Sequence, residues 1–175
     1  MFFRLYSHWP RIVKMDCRWT PNAASERSGR TPLVLSGRTE HVDRLCLKLR
    51  QYCDKVLVLK GGMAGKERAR IMQELVIEDA PRIVIATGSY IGEGFDDPRL
   101  DTLFLAMPIS WRGTLQQYVG RLHRLHDNKK VVEVYDYVDS SIPMLARMFE
   151  KRLRGYRAFG YSICGTEKDA RKGFS

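Results

Sequence analysis

Two arginines three residues apart, Arg121 and Arg124, lie in the stretch QQYVGRLHR, with Gln117 one turn before the first of them. Side chains three and four apart share a helix face, so the spacing predicts a cationic edge offering two guanidinium forks. A guanidinium is permanently charged and presents its donors in a plane, which suits it to the oxygens of a phosphoryl group. Earlier in the chain, GSYIGEGFDDP follows the apolar run RIVIAT. Gly88, Gly92 and Gly94 give the backbone freedom there, and Asp96 adds a carboxylate ahead of a turn at Asp97 and Pro98. Small residues let main-chain N–H groups come close to a phosphate or ribose, and a carboxylate accepts from a sugar hydroxyl or an arginine.

A third stretch, VLVLKGGMAGKERARIM, looks like a phosphate loop and fails the test. A P-loop needs four residues between its glycines and a hydroxyl after the lysine, because successive N–H groups must wrap the phosphates while the hydroxyl holds magnesium. Here three residues separate Gly61 from Gly65, and Glu67 stands in the hydroxyl position. Gly61 and Gly62 are adjacent, which also excludes the dinucleotide pattern G-x-G-x-x-G. The turn therefore does something other than cradle a triphosphate.

The elements that must position these residues follow from hydrophobic patterning. Short apolar runs at Leu33 to Ser36, Val56 to Lys60, Arg82 to Thr87, Asp101 to Ala106 and Val131 to Val138 alternate with helical stretches. That alternation predicts a parallel sheet with crossover helices, and strands apolar on both faces need cover on both sides. The first helix carries Val42, Leu45, Cys46 and Leu49 on one stripe, and the second Ala69, Met72, Leu75 and Val76. A third begins after Gly113. A fourth runs from about Ile142 to Tyr156, with Ile142, Leu145, Phe149 and Leu153 expected inward and Arg147, Lys151, Arg152, Arg154 and Arg157 outward. Ligands of an open parallel sheet collect at the carboxyl ends of its strands, where the glycine loops fall.

The 175 residues, 44% hydrophobic and 29% charged, suffice for one domain with a full core and fall short of two. We expect an irregular arm or linker over 1–31, a domain over 32–160 and a tail over 161–175. A net charge of +10 and a pI near 9.7 favour a polyanionic partner, nucleic acid before membrane, since no uninterrupted apolar span is present. MFFRLYSHWPRIV is interrupted by Arg4, His8, Pro10 and Arg11, unlike a signal peptide, so a cytoplasmic location is expected. Cys17, Cys46, Cys53 and Cys164 lack C-x-x-C spacing and are expected reduced and structural. His123 and His126 are spaced for one helix face but have no second ligand pair, so no metal site is expected.

The loop and the arginine stretch together resemble a known family. ATGSYIGEGFDDP is similar to motif V, QQYVGRLHR to motif VI (Q-x-x-G-R-x-x-R), and LVLSGRTEH to motif IV of superfamily 2 helicases, DEAD/DEAH-type, over roughly residues 30 to 160. The wording is most similar to bacterial DNA helicases of the restriction and repair kind. Tyr118 stands where the RNA helicases' motif H-R-x-G-R has its first arginine.

The resemblance implies a second, C-terminal RecA-like domain: a three-layer α/β fold of the P-loop NTPase type that lacks the P-loop itself. It implies ATP with Mg²⁺ held mainly by a first RecA-like domain, in the same or a separate chain, and no cofactor bound tightly here. Arg124 and then Arg121 are the implied arginine fingers. Gly94 and Asp96 would meet the nucleotide, and Gln117 would orient the arginines. Ser36, Arg38, Gly61, Gly62, Thr87 and Gly88 would face the nucleic acid, DNA rather than RNA, with Lys66 or Arg68 adding charge. On this reading the isolated chain hydrolyses no ATP. Two rival expectations are a nucleic-acid-binding remnant or split-gene subunit without catalysis, and a nuclease built on Glu93, Asp96, Asp97 and Asp101.

Overall fold

The computed structural model describes residues 2–6, 30–77, 82–88, 97–107, 115–126, 129–139 and 141–164. Among them seven strands form one sheet: β1 (Phe2–Tyr6), β2 (Pro32–Ser36), β3 (Val56–Leu59), β4 (Ile83–Thr87), β5 (Thr102–Leu105), β6 (Val131–Asp136) and β7 (Ser162–Cys164). Their order is β3-β4-β2-β5-β6-β1-β7, and every pairing is parallel. Parallel neighbours cannot be joined by a tight turn. Helices α1 (Thr39–Leu49), α2 (Gly65–Ile77), α3 (Gln116–Leu122) and α4 (Pro143–Ala158) lie in the crossovers after β2, β3, β5 and β6. The expected α/β fold with a parallel sheet between helix layers is what forms.

Side chains alternate between the faces of the strands, giving two cores. Leu33, Leu35, Val84, Ala86, Leu103, Leu105, Val132 and Val134 pack with Ile71 and Leu75 of α2, Tyr118, Val119 and Leu122 of α3, and Tyr156 of α4. On the other face Val34, Ile83, Ile85, Phe104 and Tyr135 pack with Val42, Cys46 and Leu49 of α1. Each such aliphatic contributes about 1.5–3 kcal/mol relative to exposure, so both faces hold the sheet. Cys46 and Cys53 are buried.

Four expectations need correction. Residues 1–31 are not wholly an irregular arm: Phe2–Tyr6 forms a strand inserted between β6 and β7. A strand needs only five residues, and its partners lie more than a hundred residues away. Nor are residues from 161 onward only a tail, since Ser162–Cys164 pairs with β1. The junction at residue 30 is bonded too: the Nε of Arg30 donates to Thr102 Oγ1 at 2.7 Å, and its guanidinium lies 3.2 Å from Glu133.

Among the described side chains of α2, Ile71 and Leu75 are buried and Met72 packs partly buried against them, while Ala69 is exposed and the Val76 side chain lies outside those described. The larger Ile71 takes the inward place. On α4, Ile142 is 42% exposed and Arg152 only 1%. Arg152 turns inward because a carboxylate, Asp136, waits at the end of β6.

Candidate nucleic-acid and nucleotide interface

Because β3, β4 and β2 are neighbours, their carboxyl ends bring three sequence stretches together. Ser36 is in register with Thr87. The N–H of Gly88 donates to the carbonyl of Ser36 at 3.1 Å, and the N–H of Gly61 donates to Thr87 Oγ1 at 3.4 Å. Gly62 has φ +81, a left-handed conformation that glycine adopts without penalty, and it turns the chain from β3 toward α2. Ser36, Arg38, Gly61, Gly62, Thr87 and Gly88 thus share one sheet edge. They do not share it equally: Ser36 is 0% and Thr87 4% exposed, whereas Arg38, Gly61 and Gly62 are exposed and Gly88 is half-buried. The two hydroxyls shape the edge from beneath. Lys66 is exposed and Arg68 half-buried in the first turn of α2.

Beneath Arg38 sits His41, for which the sequence motifs suggested no role. His41 Nδ1 lies 2.9 Å from Ser36 Oγ, and that oxygen accepts from the Arg38 N–H at 3.3 Å. Burial, then the charges of Arg44 and Lys48, hold the imidazole below its ordinary value of 6.5, so it is neutral at pH 7. The clue was available in LVLSGRTEH: a short strand-to-helix turn places the first helical turn beside the strand end.

Helix α3 is tied to this edge by Tyr118. Its hydroxyl donates to the carbonyl of Gly88, and the side chain is 1% exposed. Burial, opposed by the charge of Arg121, raises the phenol to about 12, so it remains a donor at neutral pH. Tyr118 therefore joins the arginine-bearing helix to the glycine loop, a role its position in the motif did not reveal.

Helix α3 ends at Leu122, so Arg121 and Arg124 are joined by a tightened turn and not by a continuing α-helix. The last turn tightens, with the His123 N–H on Gly120 O at 3.3 Å and the Arg124 N–H on Arg121 O at 3.2 Å. The same early ending puts His123 and His126 off a common helix face. Lys129, 9% exposed, caps the turn: its Nζ donates to Leu122 O at 3.1 Å and Arg124 O at 2.9 Å. A cation there satisfies carbonyls that the helix end leaves open. Burial lowers its pKa, against the pull of Asp101 and Asp97. Arg121 is half-buried, and Arg124 and Gln117 are exposed. Gly94 and Asp96 lie outside the described residues.

These groups determine what the chain can offer to a phosphate group. The Gly61 amide is already engaged with Thr87, and Glu67 is exposed in the first turn of α2, so the turn provides no triphosphate cradle. Guanidinium donors at the end of α3 suit the outer side of a phosphate chain held elsewhere. Among the described residues no group of His, Cys, Asp and Glu is placed to hold a metal ion, and no helix is long and apolar enough to cross a membrane. Two carboxylates of the nuclease reading are otherwise occupied: Asp97 pairs with Arg82 and Arg99, each at 2.9 Å, and Asp101 accepts from the Thr31 N–H. Glu93 and Asp96 lie outside the described residues.

The model of the helicase conserved C-terminal domain matches residues 15–126. The chain belongs to that family. Among relatives of this helicase C-terminal domain, protein 108L of Invertebrate iridescent virus 3 is 39% identical over 101 residues, covering 58% of this chain and 92% of that one. A Schizosaccharomyces pombe protein named as the mitochondrial ATP-dependent helicase irc3 is 30% identical over 129 residues, 74% of this chain and 20% of that one. The chain therefore spans about a fifth of that helicase's length. In fold it is similar to T4 UvsW, with a TM-score of 0.67 at 17% identity over 94% of this chain and 41% of that one. It is also similar to domain 2 of the DEAD-box helicase Mss116p bound to an RNA duplex, with a TM-score of 0.56 at 13% identity over 87% and 60% of the two chains. The helicase domain is thus of the superfamily 2, RecA-like type that motifs IV, V and VI indicated.

Proposed function

We propose that this domain is the second motor domain of an ATP-dependent superfamily 2 DNA helicase or translocase. On this reading it grips the nucleic-acid backbone at the β2, β3 and β4 ends and presents Arg124, then Arg121, to ATP·Mg²⁺ on a first RecA-like domain. The nucleotide supplies the phosphoryl-transfer energy. Within this chain, Arg38, Lys66 and the Gly61–Gly62 backbone face a strand and Gln117 stands on the nucleotide side, while the resemblance alone assigns Gly94 and Asp96 to the nucleotide. The observation that carries the reading is the Tyr118 bond to Gly88, which makes the arginine helix and the strand-facing edge one mechanical unit. DNA is favoured over RNA by the wording of QQYVGRLHR, with Tyr118 where the RNA helicases place an arginine. A restriction or repair role extends the same resemblance.

A second reading, a subunit or remnant that binds nucleic acid without catalysis, is favoured by protein 108L, of which the matched segment makes up 92%. Both readings require strand binding, and only the first requires a nucleotide response. The test is titration of labelled single-stranded DNA and RNA at several salt concentrations, with and without a first RecA-like domain and ATP. Salt-sensitive binding that tightens or loosens with nucleotide supports the motor. Binding indifferent to nucleotide supports the subunit, and absence of binding at low salt overturns both.

A further inference from the structure

We propose that the outer face of α4 is a second nucleic-acid surface, separate from the strand-end edge and suited to the phosphates of a duplex. Arg147, Lys151, Arg154 and Arg157 are all exposed on this helix. They stand at i, i+4, i+7 and i+10, so they form a stripe about 15 Å long at 1.5 Å per residue. Among the described residues no carboxylate pairs with any of the four. Glu150, exposed beside them, is the helix's sole acidic residue.

Arg152, the cation of α4 that points inward, is fully neutralised by Asp136 at 2.7 Å. The charge left outward is therefore surplus to what the fold uses. That same bond, with the Tyr156 hydroxyl also donating to Asp136 at 3.2 Å, holds the helix rigidly against β6.

Three observations select the partner. An interfacial membrane helix must have an apolar face free, and that of α4 is packed into the core through Tyr156 and Leu153. A single-strand platform offers aromatic rings to unstacked bases, and the outward stripe has none: Tyr156 is buried, and half-buried Phe149 lies against Arg152. What remains is a row of exposed cations on one side of a helix packed against the sheet. A duplex is a straight, rigid row of anions with one charge per about 1.7 Å of axis. The crossover from β6 places the start of α4 after the carboxyl end of that strand. In the sheet order β6 is two places from β2, about 10 Å away at the usual strand spacing. A duplex adjoining a strand held at Arg38 and Gly61 would pass along the helix.

The duplex surface rests on the strand-end reading only for the origin of the duplex, and one experiment separates the two. A labelled 20-bp duplex and a 20-nucleotide single strand are titrated by anisotropy across salt against the parent chain and two variants. One variant carries Arg147→Glu, Lys151→Glu and Arg154→Glu. The other carries Arg50→Glu, Lys55→Glu and Lys130→Glu, the same charge change at residues outside both surfaces. The α4 variant should lose duplex affinity at least about tenfold at low salt. Its salt slope should fall by about 2 to 3, since each phosphate no longer neutralised lowers it by about 0.9. Single-strand affinity should stay within about twofold, because the single strand is held elsewhere. The control variant should spare both. Thermal melting checks folding, and a variant with a lowered melting point is replaced by the milder Arg147→Gln, Lys151→Gln and Arg154→Gln. Unchanged duplex binding in the α4 variant, or an equal loss in the control variant, overturns the proposal. Failure of the parent to bind single strands while the duplex loss persists would instead remove the strand-end reading and leave this one standing.

Discussion

Arg152 donates from Nε and Nη2 to the two carboxylate oxygens of Asp136 at 2.7 and 2.9 Å, with both side chains 1% exposed. A buried pair of this kind contributes little net stability when intact, but removing one partner leaves an uncompensated charge in the core. Arg152→Ala should therefore destabilise the domain by about 3–5 kcal/mol, read from urea unfolding monitored by circular dichroism. Exchanging both partners for apolar residues, Arg152→Met with Asp136→Leu, should recover most of the loss. Equal damage from the single and double variants would mean that packing against Phe149, not charge pairing, is what Arg152 supplies.

That pair also marks where local reading of the sequence stops. The alternation of apolar runs and helical stripes placed β2 to β6 and all four helices, because burial on both faces of a parallel sheet writes itself into neighbouring residues. Arg152 looked like one more outward cation because its partner lies sixteen positions earlier on another element. β1 escaped for the same reason: Phe2 pairs with Val131, and Arg4 with Ser162. At the candidate site, the motifs located the glycine turns and arginines. The bonds that join them, Tyr118 to Gly88 and Lys129 to Arg124, connect separate elements and leave no periodic trace.

Tyr118→Phe removes only the hydroxyl that joins α3 to the Gly88 carbonyl. An unsatisfied buried acceptor costs about 1–3 kcal/mol, so a modest fall in stability is expected. The sharper readout is local. Gly88, whose N–H bonds to Ser36, should exchange its amide proton faster, while Val34 in the middle of β2 should not. Uniform acceleration at both positions would show general loosening instead of a broken link.

Acid should weaken the fold through two histidines that it holds neutral. His41 is held below 6.5 by burial and by Arg44 and Lys48, and His123 by burial and by Lys129. With the folded value depressed, the unfolded chain binds more protons between the two values. The stabilising contribution is fully present above pH 6.5 and is lost as pH falls from there through the folded values. The urea midpoint should drop between pH 7.5 and 5.5, and His41→Gln with His123→Gln should flatten that drop. A parent midpoint constant over this range would show that neither ring is held neutral.

The proposed finger must be tested in a complete two-domain enzyme, because an arginine acts only on nucleotide held by the other domain. An arginine that stabilises the charge developing in phosphoryl transfer is worth about 10³ to 10⁵ in rate. Arg124→Ala should therefore lower kcat by about 10³ or more, with a far smaller change in ATP binding. Stability should hold, since the side chain is exposed and Lys129 fixes the backbone of the turn whatever residue stands at 124. Arg121→Ala should act similarly or weaken nucleotide-driven closure. Arg44→Ala, an exposed cation on α1, removes the same charge far from the arginine turn and should leave hydrolysis intact. Lys129→Met distinguishes side chain from scaffold: it frees the Leu122 and Arg124 carbonyls without touching either guanidinium, so it should lower kcat less than Arg124→Ala while reducing stability more. If Arg124→Ala and Arg44→Ala reduce kcat alike, the finger assignment fails and the turn after α3 is a basic helix end with no part in catalysis.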